Sequence, residues 1–343
     1  MYYSVFEKTV SILDQILDKL EFPINDEEKL RDLEHGFAAK GPGGGRHQVM
    51  GGIVGALDGI AIKITRPRAG IDGVTNPISY FNRKYFFALN VLAIVDSNKK
   101  FLWMSARHEG ACHDSLALSS SGLGILMASG AAFCSGRRRF FLVGDDAFKT
   151  HDFVVCPWGG RNLPIEKDSF NYWQSHLRIH IECAFGELVQ RWGILWRPLM
   201  FKMSLKITII SVLMRLHNLC VDRRVADAVY MRDRTWGRAS VSLCPDLRWH
   251  SSSDIWLAGA EHLEDSEEPR GRHGGRRNLN KPSHTYRRLQ TELLSSKGIL
   301  RPRQRGVVPD YAVPATYEVQ SLTDPTRSIF VRPGSTTVSY TRG

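Results

Sequence analysis

The segment from residue 52 to residue 64 reads GIVGALDGIAIKI. It is rich in branched apolar residues, which favours a β-strand. Two runs of the same kind follow, FFALNVLAIVD at 86–96 and KFLWMSAR at 100–107, with a short polar turn at 97–99 between them. The three runs therefore predict three antiparallel strands, the last two joined by a tight connection.

A fourth strand is predicted at 139–146, RFFLVGDD, a short continuous apolar run that ends in two acids. Such a run is typical of a strand that is buried on both faces. Apolar residues at helical spacing predict the remaining elements, which are two helices within 1–36 and single helices at 114–128, 171–196 and 205–220. This order of strands and helices indicates an α/β domain of about 170 residues.

The composition is that of a folded, intracellular protein. Of the 343 residues, 43% are hydrophobic, which excludes wholesale disorder. No run of about 18 apolar residues is present, so no membrane-spanning helix is expected. The start MYYSVFEKTV lacks the apolar segment of a secretory signal. The six cysteines are too far apart for a C-x-x-C metal site, so reduced thiols and a cytosolic or nuclear compartment are expected.

The net charge of +11 is concentrated in one part of the chain. The segment 270–305 has eleven basic residues and one acid, and it follows an acidic stretch at 261–268. The region 223–343 is rich in Gly, Ser and Pro, so we expect a largely disordered basic tail with one short helix at 284–296. The basic run suits nuclear import or nonspecific nucleic-acid contact, and it equally suits a solvated tail.

Four acids occupy positions from which a sheet could project them into a cleft. Asp58 follows the run GIVGAL, Asp145 follows FFLVG, Asp114 starts a helix and Glu182 lies on the long helix. Each of them alone is more commonly a turn or capping residue. If they converge, two such charges about 4 Å apart repel by roughly 4 kcal/mol at an effective dielectric of about 20. A hard divalent cation removes that penalty, and carboxylates are ligands that magnesium accepts.

Six short motifs follow one another along the chain at suitable spacing. They are GALDG at 55–59, YFNRK at 80–84 with FFALNV at 86–91, HDS at 113–115, VGD at 143–145, a helix motif at 178–192 and LHN at 216–218. In this order they resemble the motifs of the PIF/Harbinger transposases, a group of DDE superfamily endonucleases. The resemblance covers residues from about 50 to 222, and six ordered motifs are far more specific than any one of them.

The resemblance implies an α/β, RNase H-like fold, in which a mixed five-stranded sheet is flanked by helices. It also implies that the acids bind a divalent metal cation, Mg²⁺ or Mn²⁺, and that three of them are catalytic. The implied catalytic residues are Asp58, Asp145 and Glu182, with Asp114 as a fourth acid at the metal site.

The residue pattern alone leaves two choices open, each between two acids that are close in the sequence. Asp146 directly follows Asp145, and side chains of adjacent strand residues point to opposite faces, so only one of the two reaches a metal. We place Asp145 at the site from its position after Gly144. Glu182 and Glu187 flank the apolar stripe of their helix on opposite sides, so periodicity does not choose between them, and only the motif selects Glu182.

The sequence therefore predicts a metal-dependent DNA endonuclease of the transposase type, which hydrolyses phosphodiester bonds by a two-metal mechanism. We predict a helical N-terminal segment with a Gly-rich linker at 1–49, the nuclease domain at 50–222, and the tail at 223–343. The alternative is a decayed or domesticated relative that binds nucleic acid without cleaving it. A hydrolase acting on RNA or hybrids is disfavoured by the motifs after Tyr80.

DNA is the expected partner, and Arg83, Lys84 and Arg178 are the expected contacts to it. The resemblance adds a Myb/SANT-like protein as a second partner, and an oligomer stays open. A nuclear location is expected, with the cytoplasm as the other compartment, and no membrane partner is expected.

Overall fold

The protein is described here from a computed structural model. The structure describes residues 2–42, 49–70, 73–129, 140–149, 151–234, 281–301, 317–320, 328–331 and 339–340. The chain divides into two compact units, Met1–Arg301 and Pro302–Gly343. The acidic stretch predicted at 261–268 and the first part of the basic run lie outside the described residues, as does the Gly-rich segment 43–48.

The first unit is organised around a five-stranded sheet with the strand order β3-β2-β1-β4-β5. The strands are β1 (Ile53–Lys63), β2 (Ala88–Val95), β3 (Phe101–Glu109), β4 (Phe141–Val143) and β5 (Val154–Val155). β1, β2 and β3 are antiparallel neighbours, whereas β4 runs parallel to β1 and β5 runs parallel to β4. The expectation of a mixed five-stranded sheet in an α/β fold is confirmed.

Helices cover both faces of this sheet, which explains the continuous apolar runs in its central strands. Every residue of β2 is buried. Leu89 and Val91 contribute to one core with the long helices that follow β5, while Leu92 and Ile94 contribute to a second core with the helices after β3. The helices are α1 (Tyr2–Ile16), α2 (Glu27–Ala38), α3 (Asp114–Ser119), α4 (Gly122–Ala128), α5 (Ile165–Arg191), α6 (Met203–Arg234) and α7 (Pro282–Ser296).

Three helices differ from their predicted limits. The single helix expected at 114–128 is two short helices, because Ser121 starts a new one by accepting a hydrogen bond from the Gly124 N–H at 3.0 Å. The helix expected at 171–196 begins earlier, directly after Pro164, and ends at Arg191. The helix expected at 205–220 continues to Arg234, beyond the residue at which the tail was predicted to begin.

Helix α7 is part of the first unit, although its sequence was assigned to a tail outside the nuclease domain. It packs against α5 and β5. The Tyr286 ring lies 4.6 Å from the Phe141 ring, and its hydroxyl donates to the Gly51 carbonyl at 2.7 Å. The reason is that Tyr286 and Leu294 give this basic helix an apolar side, which is buried. A short helix at 284–296 is thus present, but it completes the domain.

Helix α6 contains the segment Met203–Val225, which is long and apolar enough to cross a membrane by length and composition alone. Its residues Ile209, Ile210 and Met214 are buried in the core beside the sheet. The core helix of a globular domain has these same properties.

The second unit is described by itself at three short strands. Tyr317–Gln320 pairs with Ser328–Val331, which pairs with Ser339–Tyr340, and both pairings are antiparallel. In the part of the chain that the structure describes, Cys112, Cys156, Cys183 and Cys220 are free thiols, as expected. The other two cysteines, Cys134 and Cys244, lie outside that part.

Candidate active site

The strand register places Asp58 and Asp145 on the same side of the sheet. Ala56 of β1 is the partner of Val143 of β4 in a parallel pairing. Because strand side chains alternate between the faces, the residues two positions further along both strands share a face. Those residues are Asp58 and Asp145, so β1 and the end of β4 each contribute one carboxylate to the same region.

Helix α5 lies over this face and contributes Arg178 and Glu182. The two residues are four positions apart, so they are neighbours on the helix surface. Arg178 Nη1 lies 2.5 Å from Glu182 Oε1 and 3.3 Å from Asp58 Oδ2. The arginine therefore bridges a carboxylate of the sheet and a carboxylate of the helix.

Asp58 is the most perturbed acid of the site. Burial raises its pKa to about 7, although the Gly59 N–H and the Arg178 guanidinium act to lower it. The charges of Asp145 and Glu182 raise it further. Because the effect of one charge on another weakens with distance, Asp58, Asp145 and Glu182 belong to one electrostatically coupled cluster. The positive charge of a single arginine does not fully compensate the negative charge of this cluster.

The structure separates the adjacent acids Asp145 and Asp146. Asp145 Oδ1 accepts a hydrogen bond from the Ala147 N–H at 2.9 Å, and burial raises the pKa of Asp145. Asp146 is exposed, and its carboxylate pairs with Lys149 Nζ at 2.9 Å. Of the two, Asp145 is the residue that lies with the other acids.

Asp114 reaches the cluster from the start of α3. Its Oδ1 accepts a hydrogen bond from Asn90 Nδ2 at 2.7 Å, and the same amide group donates to the Cys112 carbonyl at 2.9 Å. A Cβ on Gly59 would lie 2.9 Å from Asp114 Oδ1, so a side chain at this position would displace the Asp114 carboxylate. The charge of Asp114 also contributes to the raised pKa of Asp145, after burial.

Two amide side chains that the sequence argument did not select hold this region in place. Asn90 positions Asp114. The sequence contains a pattern that could have indicated Asn90, because it is the single polar residue within the apolar run FFALNVLAIV. Gln174 is 1% exposed, and its Nε2 donates to the carbonyls of Gly144 at 2.7 Å and Val155 at 3.0 Å. Gln174 thereby ties the ends of β4 and β5 to α5, and no pattern in the sequence indicated this.

Glu187, the alternative to Glu182, lies in a different environment. It is buried, and its carboxylate oxygens lie 2.7 Å from Lys99 Nζ and 3.2 Å from Arg224 Nη1. It therefore joins α5 to the β2–β3 turn and to α6. Glu182, by contrast, shares Arg178 with Asp58.

The structure does not bring Arg83 and Lys84 to the acids. Both are exposed in the turn that precedes β2. The strand partner of Lys63 is Ala88, whereas the partner of Asp58 is Ala93, so this turn lies beyond the far end of β1. Of the three expected nucleic-acid contacts, only Arg178 is within the cluster.

The donor set suits a hard divalent cation, because it consists of carboxylates that are close enough to perturb each other. Within the described residues, no group of three or more His, Cys, Asp or Glu side chains is arranged to hold a metal ion. The position between Asp58 and Glu182 is taken by the Arg178 guanidinium. The residues therefore fit such a cation chemically, provided that Arg178 moves aside.

The fold is a mixed five-stranded sheet, and it carries acids on its central strand, after its fourth strand and on a late helix. These features define the class of RNase H-like domains with an acid-centred site. Residues 57–218 match the family model described as DDE superfamily endonuclease. This range includes all four acids, so the part of the chain that carries the site is similar to DDE superfamily endonucleases.

A relative among curated proteins is similar to the same part of the chain. It is "Protein ALP1-like" from Arabidopsis thaliana, which is 25% identical over 180 residues, or 49% of this chain and 41% of the relative. The chain thus spans about two fifths of the length of the curated relative that it matches. No solved structure matches the chain.

Proposed function

We propose that this protein is a metal-dependent DNA endonuclease of the transposase type, related to the PIF/Harbinger group. The observation that carries the proposal is the coupling of Asp58, Asp145 and Glu182 in one cluster on an α/β sheet. The match of residues 57–218 to DDE superfamily endonucleases supports it. Clustered carboxylates with perturbed pKa values at the centre of a sheet are typical of functional sites.

In this proposal Asp58, Asp145 and Glu182 hold the metal, and Asp114 is the fourth acid. Mg²⁺ is the expected ion, with Mn²⁺ as a substitute, because both prefer oxygen ligands. Divalent cations bound in this way activate the attacking water and stabilise the leaving oxygen of a phosphodiester.

The remaining residues of the site act on the acids or on the substrate. Asn90 orients Asp114 and Gln174 fixes the strand ends that present Asp145, so the acids are held before substrate arrives. Arg178 partly neutralises the metal-free cluster through its two ion pairs. If Asp58 and Glu182 held a cation, the Arg178 guanidinium would be available to bind a DNA phosphate.

The experiment that tests this proposal is a plasmid-nicking assay with and without Mg²⁺. Glu182→Gln and Glu187→Gln are a matched pair on one helix, and thermal unfolding of both variants shows whether the fold is retained. Glu182→Gln is expected to abolish cleavage at an unchanged fold, whereas folded Glu187→Gln still cleaves. Equal cleavage by both variants would contradict the assignment of Glu182.

A second candidate function is nucleic-acid binding by a catalytically decayed relative. The observation that favours it is the position of Arg178, which occupies the place between Asp58 and Glu182. A decayed protein would bind DNA yet show no cleavage with Mg²⁺ or Mn²⁺ and no metal-induced rise in its melting temperature. A comparison of DNA, RNA and hybrid substrates separates both candidates from a hydrolase that acts on RNA.

We also propose a nuclear location, which is supported by the basic run at 270–305. A fluorescent fusion of the full chain, compared with one in which the arginines of 270–277 are replaced by glutamine, tests it. A Myb/SANT-like partner and an oligomeric state remain proposals that rest on the family resemblance, and pull-down and light-scattering measurements test them.

A further inference from the structure

The turn at 82–86, between Tyr80 and β2, is built around a buried asparagine. The Asn82 N–H donates to the Phe86 carbonyl and the Tyr85 N–H donates to the Asn82 carbonyl, both at 3.0 Å. Asn82 Oδ1 also accepts from the Lys84 N–H at 2.8 Å. Asn82 itself is only 6% exposed. These bonds hold the backbone of the turn and set the position of its tip.

Tyr85 lies at the tip of the turn, and its backbone conformation there is unfavourable for a tyrosine. Its φ of 64° lies in the left-handed region, which is unfavourable for a bulky side chain and suits Gly or Asn. Its side chain is 79% exposed, so the unfavourable backbone conformation is not offset by burial of the ring. A strained backbone around a large exposed aromatic residue points to a role outside the fold.

Several basic side chains lie on this turn and on the neighbouring end of β1. Arg83 and Lys84 are exposed beside it on the same turn. From the end of β1, Lys63 Nζ lies 5.1 Å from the Phe86 ring centroid, and the Arg66 guanidinium lies 5.8 Å from that of Phe87. The segments 59–68 and 79–92 contain no acid. Binding sites for single-stranded nucleic acid combine exposed aromatic rings with basic side chains, because the bases stack on the rings and the phosphates bind the cations.

The turn lies toward the end of β1 that is away from Asp58. Asp58 and Lys63 are five residues apart on β1, which corresponds to roughly 17 Å along the strand. That length equals about five base-pair steps of a duplex. A DNA strand whose phosphate lies at Asp58 can therefore reach the Lys63 end of β1, beside which β2 begins after the turn, about five steps away.

We propose that residues 82–86 are a stacking tip for unpaired DNA. Tyr85 stacks on an exposed base, and Arg83 and Lys84 bind the flanking phosphates. The placement of this tip relative to a scissile phosphate rests on the proposed nuclease function. The stacking itself does not, since it requires neither metal nor cleavage.

The test measures binding of the full chain to labelled oligonucleotides in EDTA, by fluorescence anisotropy. The ligands are a single strand, a forked duplex and a fully paired duplex. Tyr85→Asn is expected to weaken binding of the single strand and the fork about tenfold, with duplex binding changed less than about twofold. Tyr85→Phe keeps the ring and is expected to bind as the wild type does.

A stability measurement separates this role from a structural one. Asn suits the left-handed position better than Tyr, so Tyr85→Asn is expected to melt at the same or a higher temperature while it binds DNA less tightly. Arg83→Gln and Lys84→Gln should weaken binding of all three ligands, and each should lower the slope of log affinity against log salt by about 0.7–0.9.

Two results would overturn the stacking tip: equal affinity of Tyr85→Asn and Tyr85→Phe for the single strand, or no binding of the wild type to any of the three ligands. If Tyr85-dependent binding occurs but Mg²⁺ supports no cleavage, the nuclease proposal fails and the stacking tip stands. If Mg²⁺-dependent cleavage occurs and binding does not depend on Tyr85, the reverse holds.

Discussion

The guanidinium of Arg178 lies 3.3 Å from the carboxylate of Asp58, a helix cation placed against an acid in the central strand of the sheet. Burial raises the pKa of Asp58 to about 7 even with this arginine beside it. Burial is the main cause and the charges of Asp145 and Glu182 add to it, so additional positive charge at the cluster would favour the ionised form of Asp58.

Replacement of Arg178 separates its two roles. Arg178→Met leaves Asp58 and Glu182 without their guanidinium partner, so we expect the metal-free protein to lose about 1–3 kcal/mol of stability. Added Mn²⁺ should then raise the melting temperature more in the variant than in the wild type, because no internal cation competes for the acids.

Arg31→Met is the matched control for that measurement, since Arg31 forms an exposed ion pair with Glu27 four residues away. Exposed pairs of this kind contribute about 0.3–0.5 kcal/mol. We expect Arg31→Met to leave both the stability and the Mn²⁺ response nearly unchanged. A Mn²⁺ response of Arg178→Met no larger than that of the wild type would show that Arg178 does not occupy the metal position.

Asp145 and Asp146 should behave differently in the cleavage assay although they are neighbours. Asp145→Asn removes a carboxylate of the coupled cluster and is expected to abolish Mg²⁺-dependent nicking. Asp146→Asn removes only the exposed ion pair with Lys149 and should retain the wild-type rate. The reverse pattern would mean that the end of β4 is turned by one residue relative to this structure.

The contribution of α7 can be measured through Tyr286. Tyr286→Ala removes the ring contact with Phe141 and the hydrogen bond to Gly51, and we expect a loss of about 3–5 kcal/mol. Leu289→Ala on the same helix is the control, because Leu289 is 53% exposed. Chemical denaturation of both variants checks this, and equal stabilities would mean that α7 does not pack on the domain in solution.

The pH dependence of stability should include a contribution from His217. This residue is fully buried, its Nε2 lies 3.0 Å from the Lys99 carbonyl, and burial lowers its pKa from 6.5 to about 4. The unfolded chain therefore takes up the proton first as the pH falls. The contribution of His217 to stability is lost between pH 6.5 and 4 and amounts to about 3 kcal/mol.

His217→Gln tests this because glutamine can still donate to the Lys99 carbonyl but does not titrate. Its free energy of unfolding should fall less steeply between pH 6.5 and 4 than that of the wild type. The exposed His35→Gln is the control and should follow the wild type. Parallel curves for His217→Gln and the wild type would place the ring in a solvated position.

The central sheet was predictable because each of its longer strands is encoded by a short, continuous run of apolar residues. The apolar run that contains β4 predicted a strand buried on both faces, and the stripe of Leu177, Ile181 and Ala184 predicted the inner face of α5; both are buried as expected. The packing of α7 was not predictable, since the Tyr286–Gly51 hydrogen bond joins residues 235 positions apart. The high charge of that segment also concealed its short apolar side.

The candidate site was only partly predictable for a related reason. Motifs select acids by position, but they do not state which way each carboxylate points. The separation of Asp145 from Asp146 depends on the hydrogen bond to Ala147 and on Lys149. The role of Gln174 depends on two backbone carbonyls that meet it only in the folded sheet.

The most direct test of the central claim is nicking of supercoiled DNA by the wild type and by Asp58→Asn, in Mg²⁺ and in EDTA. Asp58→Asn removes a buried negative charge, so we expect it to be folded and at least as stable as the wild type without metal. We expect the wild type to nick DNA only when Mg²⁺ is present, and we expect no nicking by the variant. Nicking by Asp58→Asn at the wild-type rate would contradict it, and so would the absence of nicking by a folded wild type.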